Sequence, residues 1–156
     1  MVAELLISDE IVPLKTSDTG EDALNAMADY FLRHLPIVND AQLLGVISED
    51  EILDYDVEEP IGSYRLNGSY KYVHAQDHVY VVMRMLAESR LTIIPVVDAD
   101  ENYLGVITLE GILQYFAGMA SFASPGSILV LEISNRDYSM AEIARIVESE
   151  NALILS

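Results

Sequence analysis

The chain has no cysteine and no tryptophan, few basic side chains, and no glycine-rich loop. Without cysteine there are no disulfides, no thiolate metal centre and no cysteine nucleophile. With 8 basic residues against 26 acidic ones the formal net charge is −18, which repels a phosphate backbone and removes nucleic acid from the expected partners. The 8 glycines are dispersed, and neither a phosphate-binding loop, a dinucleotide fingerprint nor a nucleophile elbow is present. Basic residues followed by an apolar run are missing from the start, Met1-Val2-Ala3-Glu4-Leu5, so the expected compartment is the cytoplasm. The uncharged stretch 111–131 approaches a bilayer crossing in length. Gln114, Ser121, Ser124 and Pro125-Gly126 interrupt it, and a helix end, a turn and a short strand explain it better than a membrane span.

What is present is a chain of 156 residues, 51% hydrophobic, able to bury a core as one domain or two small ones. The acids are scattered and read as a solubility surface, with a divalent-cation sensor as the alternative. Glu49, Asp50, Glu51, Asp54 and Asp56 place oxygen ligands suited to Mg²⁺ around one short helix, yet carboxylates at a helix start are equally a solvated acidic face. His74 and His78 share a helical spacing that suits a metal, but no carboxylate pattern accompanies them and no metal site is assigned.

An internal repeat organises the sequence. Leu35-Pro36-Ile37-Val38-Asn39 answers to Ile94-Pro95-Val96-Val97-Asp98, and Leu44-Gly45-Val46-Ile47-Ser48 answers to Leu104-Gly105-Val106-Ile107-Thr108. Asp18 matches Asp77, Ala28 matches Ala87, and Ile52-Leu53 matches Ile112-Leu113. The offset grows by one between the blocks, which places an insertion near 98–102. Each copy begins with an extended piece, 11–15 or 70–73. A helix capped by Ser17 or Asp18 follows in the first copy, its stripe made by Ala23, Leu24, Met27 and Phe31. Val79, Val82, Met83 and Leu86 form the matching stripe. Pro36 and Pro95 open strands, second strands end at Ser48 and Thr108, and short helices follow. The order is β-α-β-β-α, twice. Neither copy buries both faces of its sheet alone, so the two are expected to pack about a pseudo-twofold axis, leaving clefts.

Hydrophobic-Pro-hydrophobic-Val-Asn/Asp, a turn, Gly-Val-Ile-Ser/Thr and an Ile-Leu helix, in tandem over 11–116, resemble the cystathionine β-synthase (CBS) domain pair, or Bateman module. The resemblance implies an α/β (α+β) fold, a homodimer, and a regulatory rather than enzymatic role. It further implies binding of an adenosine-containing ligand such as AMP, ADP, ATP or S-adenosylmethionine between the repeats, with no required cofactor. It carries ligand contact to Ser48 and Thr108, where helix capping is the competing role, and a ribose clamp to Glu51, whose counterpart is Gly111. Arg33 and His34 stand where the family places a phosphate-binding cation. Val12, Leu14, Pro36 and Pro95 are candidate walls for adenine, beside Leu35, Val73 and Ile94. A degenerate scaffold for partner binding is the rival, and a Mg²⁺ sensor the third reading.

After Pro125-Gly126 the pattern changes. Ser127 to Ser134 alternates as a strand, Ser139-Met140-Ala141-Glu142 reads as a capping box, and a strand begins at Ala152. This β-α-β piece resembles the first half of a ferredoxin-like ACT unit and is expected to stop mid-fold, with exposed strand edges that seek a partner. The expected domains are a first repeat with an N-terminal helix at 1–58, a linker at 59–69, a second repeat at 70–122 and the partial ACT-like unit at 127–156.

Overall fold

The computed structural model describes residues 1–66, 70–119, 127–132 and 139–154. The chain divides into two compact units, Met1–Leu113 and Gln114–Ser156. The first holds the first repeat and the second as far as the start of its last helix, and its helices and strands give the mixed α/β fold expected of a repeat pair.

In the first repeat, α1 (Gly20–Tyr30) is followed by the antiparallel strands β1 (His34–Asn39) and β2 (Gln42–Ser48) and by α2 (Glu49–Leu53). In the second, β3 (Val73–His74) precedes α3 (Val79–Ser89), β4 (Ile93–Val97), β5 (Tyr103–Thr108) and α4 (Leu109–Ala117). β3 runs parallel to β4, which pairs antiparallel with β5. The extended piece at 11–15 contributes a single parallel bridge, Leu14 to Ile37. Pro36 and Pro95 lie inside their strands and do not open them. The Pro36 carbonyl accepts from Leu14 N at 2.8 Å. A strand residue's N and O point to the same neighbour, so the missing Pro36 N–H faces this edge, where the ladder stops.

The helices start one residue later than expected in the first copy. Thr19, not Ser17 or Asp18, caps α1: its hydroxyl accepts from Asp22 N at 3.1 Å while Asp22 accepts from Thr19 N at 2.9 Å. Asp18 closes the preceding turn by accepting from Lys15 N at 2.7 Å, and its repeat partner Asp77 does the same with His74 N at 2.8 Å. Ala23, Met27, Val79, Val82 and Leu86 are buried as the stripes require, Leu24 is half-buried, and Met83, expected in the second stripe, is exposed. Phe31 is 92% exposed, because it has left the helix and serves as a left-handed C-cap with φ 55°.

The residues outside the repeat cores are also structural. Ile61 and Tyr64, within the expected linker, are buried in the first core, with Tyr64 stacked on Tyr55 at a centroid distance of 4.4 Å. The expected N-terminal helix is a 3-10 turn, Ala3–Leu6, and it packs on the second repeat, not the first. Ala3 N donates to Asp77 O, Glu4 N to Ala75 O, and Ser8 N to Val106 O, at 2.8, 3.0 and 2.8 Å. Gly105, with φ +155°, leaves space for Ile7, which an added Cβ would strike. At the matching Gly45 the nearest such neighbour is the Tyr70 ring, at an ordinary 3.9 Å. Each repeat is thus covered by the segment that precedes the other.

In the second unit, α5 (Met140–Ser149) is capped by Ser139, whose hydroxyl accepts from Glu142 N at 3.3 Å. The flanking residues 127–132 and 152–154 form no strand, contrary to the expected β-α-β pattern. An alternating sequence becomes a strand only when its backbone groups find a partner, and among the described residues none pairs with these. The remainder of those expected strands lies outside the described residues. No helix among the described residues is long and apolar enough to cross a membrane.

Gly105→Ala is expected to destabilise the protein by about 1–3 kcal/mol, the usual cost of forcing atoms into a filled site. Gly45→Ala should change stability by less than about 1 kcal/mol, because the contact it makes is unstrained. Urea unfolding of both variants checks the contrast.

Candidate functional site

Where the first repeat meets the second, a cleft of about 290 Å³ is lined by His34, Val46, Ser48, Glu51, Tyr70, Lys71, Ser89 and Leu91. Four of these, His34, Val46, Ser48 and Glu51, come from β1, β2 and the first turn of α2. The others come from the end of α3 and from the segment ahead of β3. Of the expected site residues, His34, Ser48 and Glu51 line this cleft; Val46, Tyr70, Lys71, Ser89 and Leu91 line it without having been expected to.

Ser48 and Glu51 form a closed pair. Glu51 Oε2 accepts from Ser48 N and from Ser48 Oγ, each at 2.9 Å, and Ser48 Oγ accepts from Glu51 N at 3.2 Å. This is a complete capping box, so both residues have a structural role without any ligand. The bonds engage only one Glu51 carboxylate oxygen, and its other oxygen keeps acceptor capacity at the cleft.

His34 joins the two repeats. Arg33 N donates to Thr92 Oγ1 at 3.2 Å, Thr92 Oγ1 stands 3.0 Å from His34 Nδ1, and Thr92 N donates to that same nitrogen at 3.3 Å. Nδ1 is therefore the acceptor and the neutral ring carries its proton on Nε2. Burial, reinforced by the adjacent Arg33 charge, lowers the His34 pKa, against a smaller opposing effect of Glu51 and Asp50. A neutral His34 is a hydrogen-bonding group in this cleft, not a cation for phosphate.

The remaining expected site residues lie elsewhere. Arg33 turns to α2, with Nε 3.2 Å from Glu49 and Nη2 3.2 Å from Asp50, in an exposed pair worth about 1 kcal/mol or less. Leu14, Pro36 and Pro95 are buried in their own repeats. Val12 is exposed and its N–H donates to Tyr30 Oη at 3.4 Å. Thr108 caps α4 by accepting from Gly111 N at 2.9 Å. None of these lines the cleft. In repeat register Val12 corresponds to Lys71, so the wall attributed to the first copy's own leading segment is supplied by the second copy's. The signal available was the pseudo-twofold axis itself, which brings each leading segment to the opposite repeat.

At the symmetry-related position, Ile93 replaces His34, Gly111 replaces Glu51 and Val12 replaces Lys71. The polar constellation exists once. No group of three or more His, Asp or Glu among the described residues could hold a metal ion, so the acids around α2 and the His74/His78 pair do not converge on one.

The CBS domain family model matches residues 2–58 and 65–118. An inosine-5'-monophosphate dehydrogenase of Methanocaldococcus jannaschii is 24% identical over 115 residues, covering 72% of this chain and 23% of that protein. The chain thus spans under a quarter of the length of this curated relative. A CBS domain pair/ACT domain protein of Thermotoga maritima is similar in structure with a TM-score of 0.65 and 19% identity, covering 74% of this chain and 96% of that one. CBSX2 in complex with AMP gives a TM-score of 0.62 and 21% identity, covering 74% and 95%.

Because the folded-state pKa of His34 lies below its unfolded value, protonation favours the unfolded chain. This contribution to stability is complete above a pH of about 6.5, the ordinary histidine value, and is lost as pH falls below it. An NMR titration should place His34 under that value with the proton on Nε2, and Thr92→Val, which removes the hydroxyl donor, should raise it.

Proposed function

The chain belongs to the CBS domain family, and on that premise we propose that it is a regulatory module whose single competent cleft, at the end of the first repeat, takes an adenine nucleotide. The observation that carries this reading is the convergence of Lys71, His34, Ser48 and Glu51 on one cleft between the repeats, beside the Tyr70 ring and apolar Val46 and Leu91. An apolar and aromatic wall facing several convergent polar groups suits an aromatic base attached to a polar tail. Lys71 is one of only two lysines in the chain and is the cation for phosphate. The second oxygen of Glu51 is the acceptor for a ribose hydroxyl. Tyr70, Val46 and Leu91 are the wall for the base.

Size and charge favour a nucleoside monophosphate within the set of AMP, ADP, ATP and S-adenosylmethionine. The cleft, about 290 Å³, lies at the small end for ligand sites. One lysine in a chain of net charge −18 balances a monophosphate better than a triphosphate. AMP in the related CBSX2 fold supports the same choice. Occupancy regulates by binding one relative arrangement of the repeats more tightly than another, since a ligand shifts a conformational equilibrium only through differential affinity. Transmission through a homodimer contact, in the cytoplasm, completes the proposal. The closed Ser48–Glu51 pair favours a second reading, a structural scaffold for partner binding that needs no ligand.

Isothermal titration with AMP, ADP, ATP and S-adenosylmethionine separates the two. AMP is expected to bind at one site per chain. Lys71→Ala should weaken it about tenfold or more, the scale of one charge-assisted hydrogen bond, and Thr108→Ala should leave it unchanged. Absence of heat with all four ligands up to millimolar concentration would leave the scaffold.

A further inference from the structure

A second cavity, of about 340 Å³, opens at the hairpin tips of the two repeats, away from Ser48 and Glu51. Its walls include the Tyr70 and Tyr72 rings, the carboxylates of Asp100 and Glu101, and the amides of Gln42 and Asn102, over a floor that includes buried Leu43. No basic residue among the described ones lines it. The two rings lie 6.1 Å apart and tilted by 44°, and Tyr72 Oη donates to Glu101 at 3.3 Å.

The geometry points to a binding site for a small organic cation, an alkylammonium such as a diamine or polyamine, held between the tyrosine rings and the Asp100 and Glu101 carboxylates. Three features select that class. Aromatic faces attract a cation, by about 0.5–2 kcal/mol depending on desolvation. Two carboxylates without a basic neighbour disfavour an anion, while the absence among the described residues of a third carboxylate or imidazole disfavours an inorganic divalent ion. Leu43 and the ring faces offer apolar surface that an alkyl chain covers and a hydrated metal ion does not.

The wall is built in advance. Asp98 accepts from Asp100 N at 2.9 Å, from Asn102 N at 2.8 Å and from Asn102 Nδ2 at 3.0 Å, which fixes the turn carrying Asp100 and Glu101. Glu101 sits in a left-handed conformation with φ 64°. The first repeat joins its strands through Asp40 and Ala41 alone, so the acidic turn that walls this cavity has no counterpart there. Tyr70 borders both cavities and is unsuited to testing either by itself.

Isothermal titration of spermidine and putrescine into the whole chain at physiological salt, with Mg²⁺ as a comparator, tests the site. Spermidine is expected to bind saturably at one site per chain. Tyr72→Leu and Glu101→Gln should each weaken it about fivefold, within the range for a ring–cation contact. Glu21→Gln, in the first turn of α1, should not. Glu101→Gln changes an exposed turn residue without altering backbone demands and carries the test if Tyr72→Leu does not fold. Unsaturable binding, an equal effect of Glu21→Gln, or equal competition by Mg²⁺ would overturn the assignment in favour of diffuse attraction to an acidic surface.

Discussion

Each repeat is closed by a segment that belongs, in sequence, in front of the other. Ile7 and Ser8 lie on the strand that contains Gly105, and Tyr70 lies on the strand that contains Gly45. This exchange is the constraint on which the rest depends. It supplies apolar cover that neither short sheet could provide for itself, and it makes the repeats a single compact unit. The Val38, Leu43 and Val97 cluster, with Tyr70, Tyr72 and Tyr103 around it, is the packed result.

The same exchange decides where chemistry can occur. A cleft forms where one repeat's strand ends face the other's leading segment, so its residues come from two stretches of sequence far apart. Pseudo-symmetry supplies two such positions, but side chains break the symmetry: His34, Glu51 and Lys71 at one, Ile93, Gly111 and Val12 at the other. The Thr92–His34 bonds fix the shared seam, while burial, with the Arg33 charge, lowers the His34 pKa. Lys71 is then the cation of the cleft.

Much of this was legible in the sequence because it is periodic or local. Two ordered copies revealed the repeat, and the Gly-Val-Ile-Ser/Thr strings predicted the second strands and the helices after them. His34, Ser48 and Glu51, which line the cleft, are legible as candidates because they flank those strings. Lys71 and Tyr70 were missed because their membership depends on which repeat the leading segment crosses to, a tertiary choice that no local pattern encodes. Phe31 and Thr19 show the smaller version of the same limit: periodicity extends a stripe past the point where a left-handed cap ends the helix, and several neighbouring polar residues compete to start one. Residues 127–132 have an apolar run without the pairing that would make a strand.

The central claim, that one cleft and not its symmetric counterpart retains binding, is tested most directly by mapping AMP onto the backbone amide spectrum of the whole chain. The account predicts saturable shifts concentrated at His34, Ser48, Glu51, Tyr70 and Lys71, with Val12, Ile93, Thr108 and Gly111 unmoved. Equal shifts at both sets would contradict it, as would shifts confined to the second.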